Sequence, residues 1–292
     1  MIVPINTFGV WKKKNIHSIF NQNNSRLIYL EDGLVHSFGY KKEKIPLSVS
    51  FDNDGIYYSF KSNSRLFSLI KQDLSKNNLI RSRNIIKLWK DYSISKYNFP
   101  YFIEPPKFKY ILLIDQTYGD LSVSYGSANK NSFLEMFKFA CENWPDHKIV
   151  IKVHPDVINS NKVGYLDKDF YTNKNVIVIS QLGQINKLIE NSLAVCVVTS
   201  QVGFEALIYN KEVHVFGRPF YSGLGLTIDH NLPKDDKNNK KISLENLVFK
   251  FLTKYQICLD PRTKKRCEVE DIMQYIYFRR KVYQFFPNNL YG

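Results

Sequence analysis

The sequence predicts an α/β protein whose second half forms a parallel sheet covered by helices on both faces, a Rossmann-like domain. From Tyr110 onward, short strands alternate with amphipathic helices. The strands, such as "YILLID", "KIVIKV" and "LAVCVV", are nearly continuous apolar runs, which is typical of strands buried on both faces. The chain contains no G-x-G-x-x-G turn, so dinucleotide binding of the usual kind is not predicted.

The elements before Tyr110 are predicted to form an N-terminal domain over residues 1–105. Residues 1–60 alternate short apolar runs with turn signals such as Asp54-Gly55, and residues 62–98 place apolar side chains at helical spacing. The stretch "NFPYFIEPPKFK" contains three prolines and no periodicity. It is therefore interpreted as the linker between two domains.

The second domain is predicted over residues 106–262. Its elements follow in the order strand "YILLID", helix "SFLEMFKFACENW", strands "KIVIKV" and "NVIVIS", helix "QINKLIENS", strand "LAVCVVTS", helix "GFEALIYN" and strand "EVHVFG". Residues 263–292 contain a last helix, "EVEDIMQYIYFRRKVYQFF". We expect this helix to pack back on the N-terminal domain.

The composition favours an anionic partner. The 292 residues carry a formal net charge of +14, and the pI is about 9.4. No apolar run approaches the roughly 20 residues that span a bilayer. The N-terminus lacks the pattern of a signal peptide, and the four cysteines have no C-x-x-C spacing. These features predict a cytoplasmic protein in a reducing compartment.

Polar residues follow three predicted strands, at the edge of a parallel sheet where ligands bind. They are Gln116 and Asp120 in "DQTYGD", Lys152, His154 and Pro155 in "KVHP", and Thr199, Ser200, Gly203 and Glu205 in "TSQVGFEAL". A helix beginning near Thr199 or Ser200 can bind an anion, and Glu205 one turn later can accept from ribose hydroxyls. Lys152 and His154 can contact a phosphate. Arg218, in "FGRPFY", is another cation near a strand end.

Structural roles for the same residues stay open. Ser200 and Glu205 can be an ordinary helix cap and a helix-favouring residue, and a lone histidine such as His154 is often structural. The "EDG" stretch at residues 31–33 can be a polar turn at the end of a strand. No second histidine or cysteine stands at metal-ligand spacing, so no metal site is predicted.

An ordered set of motifs resembles the KpsC/KpsS family of capsule polysaccharide β-Kdo transferases, which use CMP-Kdo. The set runs through "LEDGLVHSFG", "PLSVSFDNDGIYY", "DQTYGDLSVSYG", "IKVHPD", "GYL", "TSQVGFEAL" and "FGRPFYSGLGLTID". Two departures are that Leu224 stands where the family usually has tryptophan, and that His36-Ser37 replaces an arginine-serine pair. The resemblance implies a GT-B-like fold, in which two Rossmann-like domains face each other across a cleft.

The resemblance also implies a retaining mechanism. Asp120 matches the position assigned to a nucleophile that forms a Kdo-aspartyl intermediate. Of the pair Glu31 and Asp32, one residue, with Glu31 favoured, would deprotonate the acceptor hydroxyl, because adjacent carboxylates bind one proton more tightly. The expected partners are CMP-Kdo and a glycolipid or oligosaccharide acceptor. No cofactor or metal is expected, since CMP is a good leaving group and needs only neutralisation of its charge.

Two alternatives remain beside a capsule Kdo transferase. The first is a sialyltransferase that uses CMP-sialic acid, because the shared motifs bind CMP. The second is a basic protein that binds a membrane surface or nucleic acid. The lysines are scattered rather than gathered in one stripe, so nucleic acid is not expected. The basic clusters Lys12–Lys14, Lys264–Arg266 and Arg279–Lys281 favour peripheral contact with the inner face of the bacterial inner membrane.

Overall fold

A computed structural model of the chain describes residues 7–11, 26–39, 46–59, 62–160, 162–166, 170, 172, 174–231 and 241–286. The strands are β1 Thr7–Trp11, β2 Arg26–Asp32, β3 Ser37–Phe38, β4 Ser48–Asp52, β5 Tyr97–Asn98, β6 Tyr110–Ile114, β7 Lys148–Lys152, β8 Val176–Ile179, β9 Ala194–Val197, β10 Glu212–Val215, β11 Ile228–Asp229, β12 Gln256–Leu259 and β13 Arg266–Cys267. The helices are α1 Arg65–Ile70, α2 Lys76–Asp91, α3 Leu121–Tyr125, α4 Lys130–Asn143, α5 Pro155–Asn159, α6 Asn186–Asn191, α7 Val202–Ile208, α8 Leu244–Phe249 and α9 Val269–Phe285. A π-helical turn, Lys250–Tyr255, continues α8.

The second half of the chain forms a six-stranded, all-parallel sheet in the order β11-β10-β9-β6-β7-β8. This is the strand order of a doubly wound Rossmann fold, in which the chain reverses direction between two central strands. Here β6 and β9 flank that reversal point. The predicted parallel sheet is therefore confirmed, and the reversal point is where such folds bind ligands.

The apolar runs of this sheet supply two separate cores. Along β6, Ile111 and Leu113 belong to one apolar cluster, whereas Leu112 and Ile114 belong to the other. All four side chains are almost fully buried. Since successive strand residues point to opposite faces, a strand covered on both sides needs apolar residues at every position.

The first sheet differs from the Rossmann-like domain predicted for residues 1–105. Its order is β1-β2-β4-β12-β13. Only β1 and β2 pair in parallel, and the β2–β4, β4–β12 and β12–β13 pairs are antiparallel. In the described residues this half is therefore a mixed sheet. Short runs separated by tight turns favour antiparallel pairing, and the β2–β4 pair is of this kind.

Part of the predicted second domain belongs to this first sheet. β12 lies within residues 106–262 yet pairs with β4. The preceding α8 packs on α2, and the π-helical turn packs on α1. These elements therefore contact the first half of the chain although they precede the boundary predicted at residue 262. A boundary drawn by sequence order cannot show that a late strand returns to an early one.

The last helix, α9, contacts α2 and β12. Arg280 is buried, and its guanidinium donates to the backbone carbonyls of Tyr92, Ser93 and Phe99. The predicted basic cluster Arg279–Lys281 is therefore not a uniformly exposed patch. Lys264–Arg266 is exposed, and Lys12–Lys14 lies outside the described residues. Among the helices that are described, none is long and apolar enough to cross a membrane.

Candidate active site

A cavity of about 540 Å³ lies between the two sheets, at the carboxyl ends of β2, β6, β7 and β9. Residues from both halves of the chain line it. Ten of the predicted site residues are among them, namely Glu31, Asp32, Gln116, Asp120, Lys152, His154, Pro155, Thr199, Ser200 and Glu205. The structure thus brings residues that are up to 174 positions apart into one cavity, because they follow or end strands of two sheets whose carboxyl ends face it.

Gln116 and Thr199 join the two strands at the reversal point. The backbone N–H of Thr199 donates to Oε1 of Gln116 (3.0 Å), and Nε2 of Gln116 lies 3.1 Å from Oγ1 of Thr199. Ser122 adds a third member to this buried network. These hydrogen bonds hold the loops after β6 and β9 in fixed positions, so both residues support the cavity floor. Thr199 does not cap α7.

His154 is the N-cap of α5, and Pro155 is the first residue of that helix. Nδ1 of His154 accepts from the backbone N–H of Asp156 and lies 3.0 Å from Oγ1 of Thr117. Because Nδ1 accepts, a neutral ring carries its hydrogen on Nε2. The histidine therefore has both the structural role and a donor that suits an anionic ligand in the cavity.

We predict that His154→Asn weakens the binding of CMP-Kdo, the donor that the motif resemblance implies, by tenfold or more, since a hydrogen bond to a charged group contributes on the order of 1.5–3 kcal/mol. Asparagine also caps helices well, so α5 should keep its cap while Nε2–H is lost. Isothermal titration calorimetry measures the affinity and thermal unfolding measures the fold. Unchanged affinity in a folded His154→Asn protein would contradict the phosphate contact.

Lys152 ends β7 with a nearly buried side chain. Its Nζ donates to the carbonyl of Val153 at 2.7 Å. Burial lowers the pKa of Lys152 to about 8, because a low-dielectric environment disfavours the ammonium form. An anion placed in the cavity would stabilise that charged form, so Lys152 suits a phosphate-binding role.

Gly203 and Arg218 do not line the cavity, which differs from their predicted contact with substrate. A Cβ on Gly203 would lie 2.2 Å from the hydroxyl of Tyr221; this hydroxyl donates to the carbonyl of Ser200. Gly203 therefore makes room for the buried ring of Tyr221. Arg218 is buried, and desolvation lowers its pKa while the charge of Asp229 partly offsets that effect.

Glu205 lies on the seven-residue helix α7 and is almost fully buried, at 1% exposure. Burial raises the pKa of Glu205 to about 7, although hydrogen bonds from Ser95 and from the backbone N–H of Lys96 oppose the shift. Its Oε1 lies 3.4 Å from that N–H, whereas Oε2 has no hydrogen-bond partner among the described residues. A buried acceptor without a partner at a cavity wall suits a ligand hydroxyl.

We predict that Glu205→Gln flattens the pH dependence of stability between about pH 4.5 and 7. In this interval the folded protein keeps the Glu205 proton and the unfolded chain loses it, so the free energy of unfolding falls as pH rises, by up to about 3 kcal/mol. Urea unfolding at several pH values measures the slope. Glu190→Gln, on the exposed end of α6, is the control and should keep the wild-type slope; an unchanged slope in Glu205→Gln would contradict the prediction.

The "EDG" stretch ends β2, where Glu31 and Asp32 are its last two residues. The hydroxyl of Tyr58 donates to Oε2 of Glu31 at 3.1 Å, and Nε2 of His36 lies 3.4 Å from Oδ2 of Asp32. The two carboxylates thus have different neighbours. A Cβ on Gly33 would lie 2.1 Å from Oγ of Ser48, so glycine is required there for close approach to β4.

Asp120 is the N-cap of α3 and accepts from the backbone N–H of Ser122 at 2.9 Å. Burial has the largest effect on the pKa of Tyr58, Lys96 and Tyr165, and the negative charge of Asp120 makes a smaller, upward contribution to each. Tyr58 also bonds Glu31. Asp120 and the "EDG" carboxylates therefore face a common space from opposite sheets.

Asp115 supports the cavity wall rather than its interior. Its Oδ1 accepts from the backbone N–H groups of Gln116, Tyr165 and Leu166. A Cβ on Gly164 would lie 1.9 Å from Oδ2 of Asp115. The "GYL" motif is thus explained by packing, because glycine lets this segment lie directly against the carboxylate.

The cavity residues that sequence reasoning missed include Tyr57, Tyr58 and Lys96. Both tyrosines are buried in a turn after β4, and Lys96 follows α2 just before β5. None of the three follows a predicted parallel strand, so the rule used to find the others could not find them. Two adjacent tyrosines after the turn residues Asp54-Gly55, in "DGIYY", were the sequence feature that could have indicated them.

A model of the capsule polysaccharide biosynthesis protein family matches residues 75–257. The chain belongs to this family. The match covers α2, the whole parallel sheet and the start of β12, and most residues that line the cavity lie within it. The resemblance found in the motifs is confirmed.

Curated relatives of this family member include the capsule polysaccharide modification protein LipA of Neisseria meningitidis serogroup A, which is 32% identical over 264 residues. The match covers 85% of this chain and 37% of LipA. The lipopolysaccharide-processing protein LpsZ of Rhizobium meliloti is 29% identical over 231 residues, which cover 75% of this chain and 51% of LpsZ. The chain therefore spans well under two thirds of these relatives.

Among solved structures, the Thermosulfurimonas dismutans KpsC β-Kdo 2,4 transferase superposes with a TM-score of 0.84 at 32% identity. The superposition covers 92% of this chain and 86% of that one. The β-Kdo 2,7 transferase of the same organism gives a TM-score of 0.75 at 28% identity, covering 94% and 85%. More than nine tenths of the chain is thus similar in structure to two KpsC β-Kdo transferases.

Proposed function

We propose that this chain is a retaining glycosyltransferase with a GT-B-like cleft that transfers Kdo from CMP-Kdo in β linkage to a glycolipid or oligosaccharide acceptor during capsule polysaccharide biosynthesis. One observation carries the proposal. Asp120 from one sheet and the pair Glu31 and Asp32 from the other line a single cavity beside Lys152 and His154. Retention by double displacement needs such carboxylates on two sides of a sugar.

The donor site is assigned by charge and geometry. Lys152 and Nε2–H of His154 would contact the phosphodiester of CMP-Kdo, and Oε2 of Glu205 would accept from the ribose. Gln116, Thr199 and Ser200 would position the loops around the nucleotide. No metal or other cofactor is invoked, since cations from the chain neutralise the leaving phosphate.

The reaction is proposed in two steps. A carboxylate oxygen of Asp120 attacks the anomeric carbon of Kdo, and the carbon–oxygen bond to phosphate breaks so that CMP leaves with the electron pair. In the second step an acceptor hydroxyl attacks the same carbon while Glu31 takes its proton, and the Asp120 carboxylate leaves. Two inversions retain the β configuration.

Intact-protein mass spectrometry tests this function directly. After incubation with CMP-Kdo and no acceptor, the protein should gain the mass of one Kdo residue while CMP is released. CMP-sialic acid in a parallel reaction tests the alternative donor. The absence of an adduct, together with no transfer to any Kdo-terminated glycolipid acceptor, would refute the proposal.

The proposal places the enzyme in the cytoplasm at the inner face of the bacterial inner membrane. Its support is the excess positive charge and the exposed segment Lys264–Arg266. Basic residues near an anionic surface contribute on the order of 1 kcal/mol each. A lipid-linked acceptor would be presented at such a surface.

A further inference from the structure

Lys96 is a cavity residue that the proposed donor site does not use. It lies between α2 and β5 and is half-buried. Its Nζ lies 5.6 Å from the ring centroid of Tyr97, while its backbone N–H faces Glu205. The side chain of Lys96 thus contacts Tyr97, and its backbone contacts Glu205.

Several acidic side chains act on the ammonium group of Lys96. Burial lowers the pKa of Lys96, but Tyr97, Glu31, Asp32 and Asp120 outweigh it, so that the pKa is raised. All three carboxylates proposed for chemistry therefore act on one ammonium group. Lys96 lines the same cavity as these three carboxylates, which come from the two sides of the active site.

The other lysines that line the cavity have different positions. Nζ of Lys162 is paired with Oδ2 of Asp156 at 3.0 Å, and Nζ of Lys152 is bound to a carbonyl at the end of β7. Lys152 lies on the parallel sheet, beside His154. The charges of Asp120 and of the "EDG" pair raise the pKa of Lys96, whereas burial is the only cause of the lowered pKa of Lys152.

The donor's own chemistry requires a cation at this place. In a 2-keto sugar acid the carboxylate is bonded to the anomeric carbon, which is the carbon that the nucleophile attacks. That carboxylate must therefore lie next to Asp120 and near Glu31, where three negative groups would repel it. A neutral aldose donor would need no such cation.

We infer that Lys96 binds the carboxylate of the donor sugar and thereby selects a 2-keto sugar acid over a neutral sugar. This inference rests on the proposed function. The ammonium group offsets the repulsion between the sugar carboxylate and the cluster of acidic side chains, and it orients the anomeric carbon toward Asp120. It makes Lys96 a residue that determines donor specificity.

Binding of two ligands to Lys96→Met tests the inference. CMP lacks the sugar carboxylate and CMP-Kdo carries it, so the ratio of their affinities isolates the contact. We expect Lys96→Met to weaken CMP-Kdo binding at least about tenfold, as for loss of a charge-assisted hydrogen bond, and to change CMP binding less than about twofold. The bond from the backbone N–H to Glu205 is independent of the side chain. Lys96→Arg, which keeps the charge, should bind CMP-Kdo with an affinity between those of Lys96→Met and the wild type.

Lys162→Met is the matched control, because it removes a different lysine from the same cavity. It should leave the ratio of the two affinities unchanged. An equal loss for CMP and CMP-Kdo in Lys96→Met, or no loss for either, would overturn the inference while the proposed function stands. A wild-type protein that binds neither ligand would refute the proposed function itself. Thermal unfolding of each variant identifies any that fail to fold. If Lys96→Met does not fold, the affinities of Lys96→Arg for CMP and CMP-Kdo decide the test.

Discussion

Asp120→Asn should abolish transfer of Kdo and formation of the covalent adduct. Removing the nucleophile of a double displacement lowers kcat by roughly 10⁴-fold to 10⁶-fold. Asparagine differs from aspartate by one atom and caps helices about equally well. The bond from the N–H of Ser122 to the side chain at position 120 should therefore persist. Intact-protein mass spectrometry and a transfer assay measure the two losses.

The control for Asp120→Asn is a measurement of its affinity for CMP. CMP affinity should stay within about threefold of the wild type, because Asp120 is not assigned to the nucleotide. Ser75→Ala, which removes the N-cap of α2 away from the cavity, shows the effect of losing a cap alone. An Asp120→Asn protein that still acquires Kdo would place the nucleophile elsewhere.

The parallel sheet could be predicted because its strands carry a local signal. Every position of β6 is apolar, so the run itself indicates burial on both faces. The ends of these strands could then be searched for polar residues, and eight of the ten residues named in this way line the cavity. Glu31 and Asp32, which also line it, came from the "EDG" motif.

The mixed sheet could not be predicted in the same way. β12 pairs with β4 across more than 200 residues, and nothing local in "QICL" specifies that partner. Gly203 illustrates a second limit. Its place at the start of α7 suggested ligand contact, yet the ring of Tyr221 occupies the space that a side chain would need. Long-range packing decided both cases.

Lys96 shows why part of a site escapes motif reading. Its significance comes from carboxylates at residues 31, 32 and 120, which meet it only after both sheets form. A lysine beside tyrosine and asparagine in "SKYN" has no distinctive pattern. Electrostatic roles of this kind are properties of the assembled cavity.

Glu31→Gln should separate the two steps of the reaction. The first step needs no base, because CMP leaves as a stable anion, so the Kdo-Asp120 adduct should still form. The second step needs the base, and its loss lowers transfer by about 10²-fold to 10⁴-fold. The variant should therefore accumulate adduct even when acceptor is present, and mass spectrometry with acceptor measures this.

Asp32→Asn provides the comparison, since the two carboxylates have different neighbours. The cavity residue Tyr58 donates to Glu31, whereas Asp32 is paired with His36. We expect Asp32→Asn to reduce transfer less than Glu31→Gln and to leave no persistent adduct. If Asp32→Asn accumulated the adduct and Glu31→Gln turned over normally, the base would be Asp32. In that case the Asp32–His36 pair would orient the proton acceptor, and Glu31 would serve to hold Tyr58.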